Sequence, residues 1–197
     1  MPTTTIGDLL GREQFMDIGI RPLWGTPRLA GPAYTVRCAK GDNLMLHTAI
    51  YRAEPGSVIV VQSGDLDYAL AGGNVCAIAH RRGIAGFVLD GLVRDIGEVR
   101  ELGFPVYGRG VIPKPGGKSA TAPLNLPVIC GGVTVQAGDV VVADEDGVAV
   151  VPAARAEQVL ADAQARLAKE AAESLDAWEA AHRARVEQIL AERNFGD

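Results

Sequence analysis

The chain has no C-x-x-C pair, no run of clustered Lys or Arg, and no uninterrupted apolar stretch long enough to cross a bilayer. Each absence removes a class of function. Its three cysteines, Cys38, Cys76 and Cys130, are odd in number, widely spaced and set among apolar neighbours, which excludes a disulfide framework and a cysteine zinc site. Reduced, buried thiols are expected. Nucleic acid and anionic membranes both need a basic footprint, and 24 Asp+Glu against 19 Lys+Arg leave a net charge of -5 instead. Neither partner is expected. Met-Pro-Thr-Thr-Thr at the start lacks the basic and apolar segments of an export signal, so a cytoplasmic protein that does not span a membrane is expected.

Glycine is missing from one part of the chain only: 23 of the 24 lie before residue 152, and the other is Gly196. Glycine marks turns and close backbone approaches, so its distribution divides a turn-rich body, residues 1–152, from a tail, residues 153–197. From Ala153 to about Arg193 there is neither Gly nor Pro, and good helix formers dominate. Val159, Leu160, Ala163, Leu167 and Ala171 recur at helical spacing, as do Leu175, Trp178, His182, Val186, Ile189 and Leu190. This predicts one long C-terminal helix. An apolar stripe of that length exceeds what a small body can cover, so the tail is expected to pack on a neighbouring subunit of a homo-oligomer.

The body reads as mixed α/β. Strands are predicted at Ala33 to Cys38, Val58 to Val61, Phe87 to Asp90, Val106 to Gly108, Val128 to Cys130, Val140 to Ala143 and Val148 to Val151, each rich in β-branched residues. Helices are predicted from about Asn43 to Ala53 and from about Asn74 to Arg82. Asp144-Glu145-Asp146-Gly147 marks a hairpin between the last two strands.

The chemistry concentrates between Ala71 and Glu98. Gly72-Gly73 opens a helix, and free N–H groups at a helix start can receive a carboxylate or phosphate, although a ligand-free strand-to-helix turn has the same pattern. The strand at Phe87 to Leu89 runs into Asp90-Gly91-Leu92-Val93-Arg94-Asp95, which puts polar groups at a strand's carboxyl end, where open α/β sheets collect ligands. Asp95 and Glu98 share a face if a helix begins there, and oxygen-only ligands suit Mg²⁺ or Mn²⁺. Equally, acidic residues in a first helical turn complement the helix dipole without any metal. His47, His80 and His182 have no ligand or triad partner at useful spacing, so a packed or exposed role is expected of each, with the border of a pocket as the alternative for His47. No G-x-S-x-G elbow and no glycine-rich dinucleotide loop is present, which argues against covalent catalysis by serine and against a nucleotide-using methyltransferase.

Several of these segments together resemble one family. They are Gly41-Asp42-Asn43 ahead of a helix with His47, Gly73 followed by twenty residues and then Arg94-Asp95, the extension to Glu98, Gly103-Phe104-Pro105-Val106, and the strand pair from Gly138-Asp139 to Gly147. The family is that of the class II pyruvate aldolases acting on 4-hydroxy-4-methyl-2-oxoglutarate and 4-carboxy-4-hydroxy-2-oxoadipate, with the related regulators of ribonuclease E activity A. The resemblance implies a swivelling β/β/α fold, a trimer or hexamer, and an active site at a subunit boundary. It implies Asp95 as direct ligand of Mg²⁺ or Mn²⁺, Glu98 acting through water, and Glu170 reaching a neighbouring subunit's metal waters. Arg94 would hold the pyruvyl part of an oxo-acid substrate, and the amides after Gly73, at Asn74, Val75 and Cys76, its carboxylate. A water between metal and carboxylates would remove the proton of the substrate hydroxyl, and oxaloacetate decarboxylation would use the same site. Some aldolases of the family carry Asp where this chain has Gly73; regulators often lack the acid that Asp95 supplies. The resemblance therefore favours a metal-dependent aldolase over a non-catalytic ribonuclease regulator.

Overall fold

Val58-Ile59-Val60-Val61 and Gly86-Phe87-Val88-Leu89 are buried on both faces in the computed structural model, which describes residues 1–25 and 27–195. Continuous burial of this kind belongs to a parallel sheet covered on both sides. The strands are β1 (Arg21–Pro22), β2 (Leu29–Arg37), β3 (Val58–Gln62), β4 (Ala69–Ala71), β5 (Gly86–Asp90), β6 (Leu92–Val93), β7 (Val106–Gly108), β8 (Gly110–Val111), β9 (Val128–Cys130), β10 (Val133–Val135), β11 (Val140–Asp144) and β12 (Gly147–Val151). The helices are α1 (Thr3–Gly7), α2 (Leu44–Ala49), α3 (Gly73–Arg81), α4 (Ile96–Leu102), α5 (Ala156–Ala172) and α6 (Leu175–Glu192).

Seven strands form one sheet in the order β1-β7-β5-β3-β2-β11-β12. Its centre is parallel, from β2 through β3 and β5 to β7, while β1, β11 and β12 add antiparallel edges. The two edges approach each other, β1 against β12, so the sheet nearly closes around Val60, Val88, Tyr107, Val141 and Val150. Closure removes the exposed edges that would otherwise template aggregation. A second core lies outside the sheet, where α2 and α3 pack Leu46, Ile50, Cys76 and Ala79 against Ile59, Phe87 and Leu89. The architecture is the expected mixed α/β body with a C-terminal helical segment.

The predicted strands are present with shifted ends. The hairpin is also present: β11 and β12 are antiparallel with Asp144 opposite Gly147, and Gly147 takes a φ of 142°, a conformation that L side chains rarely adopt. The first predicted helix shortens to Leu44–Ala49, and the second keeps its length one residue earlier, at Gly73–Arg81. One expectation is overturned. The tail is two helices, because Glu173 turns to extended backbone (φ -90°, ψ 130°) and the Ser174 hydroxyl accepts from Ala177 N at 3.2 Å, capping a new helix. Serine is the break signal there, and a search for Gly and Pro passes over it. Within α5, Val159 and Ala163 are buried, and Val159 packs with Ile6, Ala149 and Val151 of the same chain. Among its residues, α6 has none buried. No described helix is long and apolar enough to cross a membrane.

Candidate functional site

Three short strands that no periodicity announces bring the site together. β4, β6 and β8 form a second parallel sheet, in which Ala71 pairs with Val93. One residue beyond that pair, Gly72-Gly73 and Arg94-Asp95 therefore leave adjacent strand ends side by side, and Arg94 N donates to Ala71 O at 3.0 Å. Two motifs separated by twenty residues thus become neighbours through strand register.

Asp95 sits before α4 in the left-handed region (φ 57°, ψ 37°), one of the few non-glycine residues there. Asp tolerates this conformation better than most side chains, and it turns the carboxylate back over α3. Asp95 Oδ2 accepts from Gly73 N at 3.1 Å and lies 3.4 Å from Arg94 Nε. Glu98 follows in the first turn of α4 and reaches the same place. A Cβ at Gly72 would fall 2.4 Å from Asp95 Oδ2, and one at Gly73 would fall 1.8 Å from Glu98 Oε2. Glycine at both positions leaves room for two carboxylates, one above each. No group of three or more His, Cys, Asp or Glu able to hold a metal occurs among the described residues. Two carboxylates suit a hard divalent ion that completes its shell with water, substrate or a group from another chain.

Beside them opens a pocket of about 80 Å³ lined by Asn43, His47, Asn74, Val75, Arg94, Asp95 and Lys118, among others. Asn74 and Val75 line it from the first turn of α3, where backbone amides have no partner within the helix. Cys76 departs from the expectation: its side chain is fully buried, and its amide donates to Gly72 O at 3.0 Å, the first regular bond of the helix. The amide cradle is therefore shorter than expected. Glu170 is exposed on α5, bonded by Arg166 Nε at 2.8 Å, and does not line the pocket of its own chain.

The opposite wall is built by Gly41-Asp42-Asn43 and the loop that carries Lys118. Asp42 is buried, and its carboxylate accepts from Leu44 N at 2.9 Å, Ser119 N at 2.5 Å, Ser119 Oγ at 3.0 Å and Ala120 N at 3.1 Å. Burial opposes its charge, but the hydrogen bonds from Ser119, Leu44 and Ala120 outweigh that and hold the carboxyl below the usual range. Asn43 N also donates to Gly117 O, and Gly117 N to Gly41 O. This clamp fixes Lys118 at the pocket mouth. His47 borders the pocket too, the alternative to a packed or exposed role, and burial first, then the Lys118 charge, lower its pKa. Asn43 Oδ1 and His47 Nε2 are the buried side-chain polar atoms without a partner among the described residues.

Covalent alternatives lose ground on the same physical terms. Burial pushes the thiol of Cys38 up to about 11 and that of Cys76 up to about 12, so neither is a ready nucleophile. Lys40, Lys114, Lys118 and Lys169 are all exposed, without the desolvation that activates a Schiff-base lysine.

A curated relative from Halalkalibacterium halodurans, named "Putative 4-hydroxy-4-methyl-2-oxoglutarate aldolase", is 39% identical over 196 residues, covering 99% of this chain and 90% of its own. The solved structure of the RNA-processing inhibitor RraA from Thermus thermophilis superposes with a TM-score of 0.71 at 31% identity, over 77% of this chain and 93% of that one. A Geobacillus kaustophilus structure described as an S-adenosylmethionine: 2-dimethylmenaquinone methyltransferase gives 0.71 at 30% identity, over 77% and 95%. The family model described as Aldolase/RraA matches residues 3–150, and this chain belongs to that RraA-like family.

Proposed function

We propose that this chain is a divalent-metal-dependent carbon–carbon lyase. It cleaves 4-hydroxy-2-oxo acids of the 4-hydroxy-4-methyl-2-oxoglutarate type to pyruvate and decarboxylates oxaloacetate at the same site. The observation that carries this reading is the meeting of Arg94, Asp95 and Glu98 over the Gly72-Gly73 turn, beside an open polar pocket.

Asp95 would bind Mg²⁺ or Mn²⁺ directly and Glu98 through water. When bound, the ion supplies a Lewis acid that draws electron density onto the substrate's 2-oxo oxygen. The chain's own residues do the rest. Arg94 holds the pyruvyl end and adds a positive charge close to the electrons released when the bond breaks. The Asn74 and Val75 amides, unpaired within the helix's first turn, receive the pyruvyl carboxylate. Glu98 stands in the space above Gly73 that an aspartate side chain at that position would occupy, so the second acid enters from α4 instead of α3. Pyruvate release from several oxo acids, measured with and without Mg²⁺ and with chelator, tests the reading. Full metal-dependent activity in Asp95→Ala would refute the ligand assignment.

The assembly belongs to the same proposal. α6 has 18 residues, none buried, and exposes Leu175 (77%), Trp178 (50%), Val186 (38%) and Ile189 (39%). Most of a helix's stability in a protein comes from packing its apolar face, so a neighbouring copy of a trimer or hexamer covers it. The exposed Glu170 then has a route to a neighbouring site.

The likeness to the Thermus RraA structure favours a second reading, a non-catalytic regulator of ribonuclease E activity acting by protein binding. A pull-down with ribonuclease E beside the pyruvate assay separates the two, since a regulator binds and does not turn over.

A further inference from the structure

The pocket's orphan atoms ask for a ligand group. Asn43 is 5% exposed, and its Nδ2 donates to Ala69 O at 3.2 Å, which fixes the amide so that Oδ1, without a partner, is an acceptor. An unmet buried acceptor is unfavourable, so the site gains when a donor arrives. His47 Nε2 is likewise buried and unpartnered, four residues further along the α2 segment, on the same side of the helix. Both residues line the pocket with Arg94 and Asp95.

Resting on the lyase reading, we propose that His47 is the base for the substrate's 4-hydroxyl, in place of the water that the resemblance implies: its unpartnered Nε2 takes the hydroxyl proton as the carbon–carbon bond breaks. In the balanced step the hydroxyl proton passes to imidazole nitrogen and the O–H electron pair becomes the new carbonyl of the departing oxo acid. The C3–C4 bond breaks, and its pair passes into the pyruvyl fragment as an enolate. C3 then takes up a proton and the imidazolium returns one, so the reaction is redox neutral.

The electrical setting suits a base. The charged groups that act on His47 are Lys118 and Arg94, which disfavour its protonation, and Asp42, which favours it, with the Leu70 backbone also favouring it. Burial adds to the cations, so the imidazole is neutral at neutral pH.

Oxaloacetate supplies the control, because its decarboxylation releases CO₂ and removes no hydroxyl proton. The experiment measures kcat/KM with Mg²⁺ for cleavage of 4-hydroxy-4-methyl-2-oxoglutarate and for oxaloacetate decarboxylation in wild type and His47→Gln. General-base catalysis is worth about 10²–10⁴-fold, so the ratio of cleavage to decarboxylation should fall about 100-fold or more in His47→Gln. Cleavage should also lose activity toward acid pH as the imidazole protonates, a limb absent from decarboxylation that moves upward in Lys118→Met. An unchanged ratio in a His47→Gln protein with a wild-type melt overturns the assignment. Should that variant fail to fold, an acid limb common to both reactions in wild type overturns it equally. A wild type active in neither reaction overturns the lyase reading itself, a result distinct from an unchanged ratio.

Discussion

Gly73→Ala isolates the relation between Gly73 and Glu98. The added Cβ would lie 1.8 Å from Glu98 Oε2, 2.8 Å from its Cδ and 3.1 Å from its Cβ. Restoring ordinary van der Waals separation requires the carboxylate to retreat by roughly 1.5 Å or more. Glu98 is exposed and has a flexible side chain, so it can swing into solvent at little cost to the fold. Replacing glycine in a helix recovers up to about 1 kcal/mol of propensity, which offsets the adjustment. Stability should therefore stay within about 1 kcal/mol of wild type. Metal binding should not. If Glu98 holds the ion's water, its displacement weakens Mn²⁺ affinity about 10–100-fold, the usual effect of losing such a support. Mn²⁺ titration by electron paramagnetic resonance, with a thermal melt on the same samples, reads both quantities. The decisive comparison is a double-mutant cycle: Glu98→Ala alone should match Gly73→Ala, and combining them should add nothing further. Wild-type Mn²⁺ affinity in Gly73→Ala, or two effects that sum, would refute the reasoning.

Asp42→Ala removes the acceptor for Ser119, Ala120 and Leu44 and should cost about 2–4 kcal/mol in a denaturant melt, with faster hydrogen exchange over residues 112–127. The Asp42 carboxyl lies below its unfolded value, so its stabilisation is present above the ordinary carboxylate pKa and is lost as pH falls through the folded value; an acid melt of Asp42→Asn should lack that component. Asp95→Asn should stay within about 0.5 kcal/mol of wild type, because Asn also tolerates the left-handed region, while pyruvate release is lost. Pairing Trp178→Asp with Ile189→Asp places charges on the uncovered face of α6, and sedimentation should then report a smaller assembly with reduced helicity.

Local pattern carried the core strands, because β-branched runs bounded by Gly or Pro make buried strands in almost any context. It carried the hairpin at Asp144 to Gly147 for a similar reason, since its turn chemistry is contained in four residues. The helix start at Gly72-Gly73 was equally legible. The tail was misread at Glu173-Ser174, where one serine hydroxyl competes with helix continuation and breaks no composition rule.

The amino-acid sequence by itself determined an acidic mixed α/β chain, and the resemblance of its motifs pointed to Arg94, Asp95 and Glu98 as chemical candidates where spacing alone left a helix-dipole role equally open. Only tertiary structure decided how they lie together. Pairing of Ala71 with Val93 sets Arg94 and Asp95 beside the double-glycine turn, and two- and three-residue strands have no periodicity from which that register could be read. Asn43, His47 and Lys118 joined the site in the same way. They lie far from Arg94 along the chain, and the Asp42 clamp that places them is a set of long-range hydrogen bonds that no local spacing encodes.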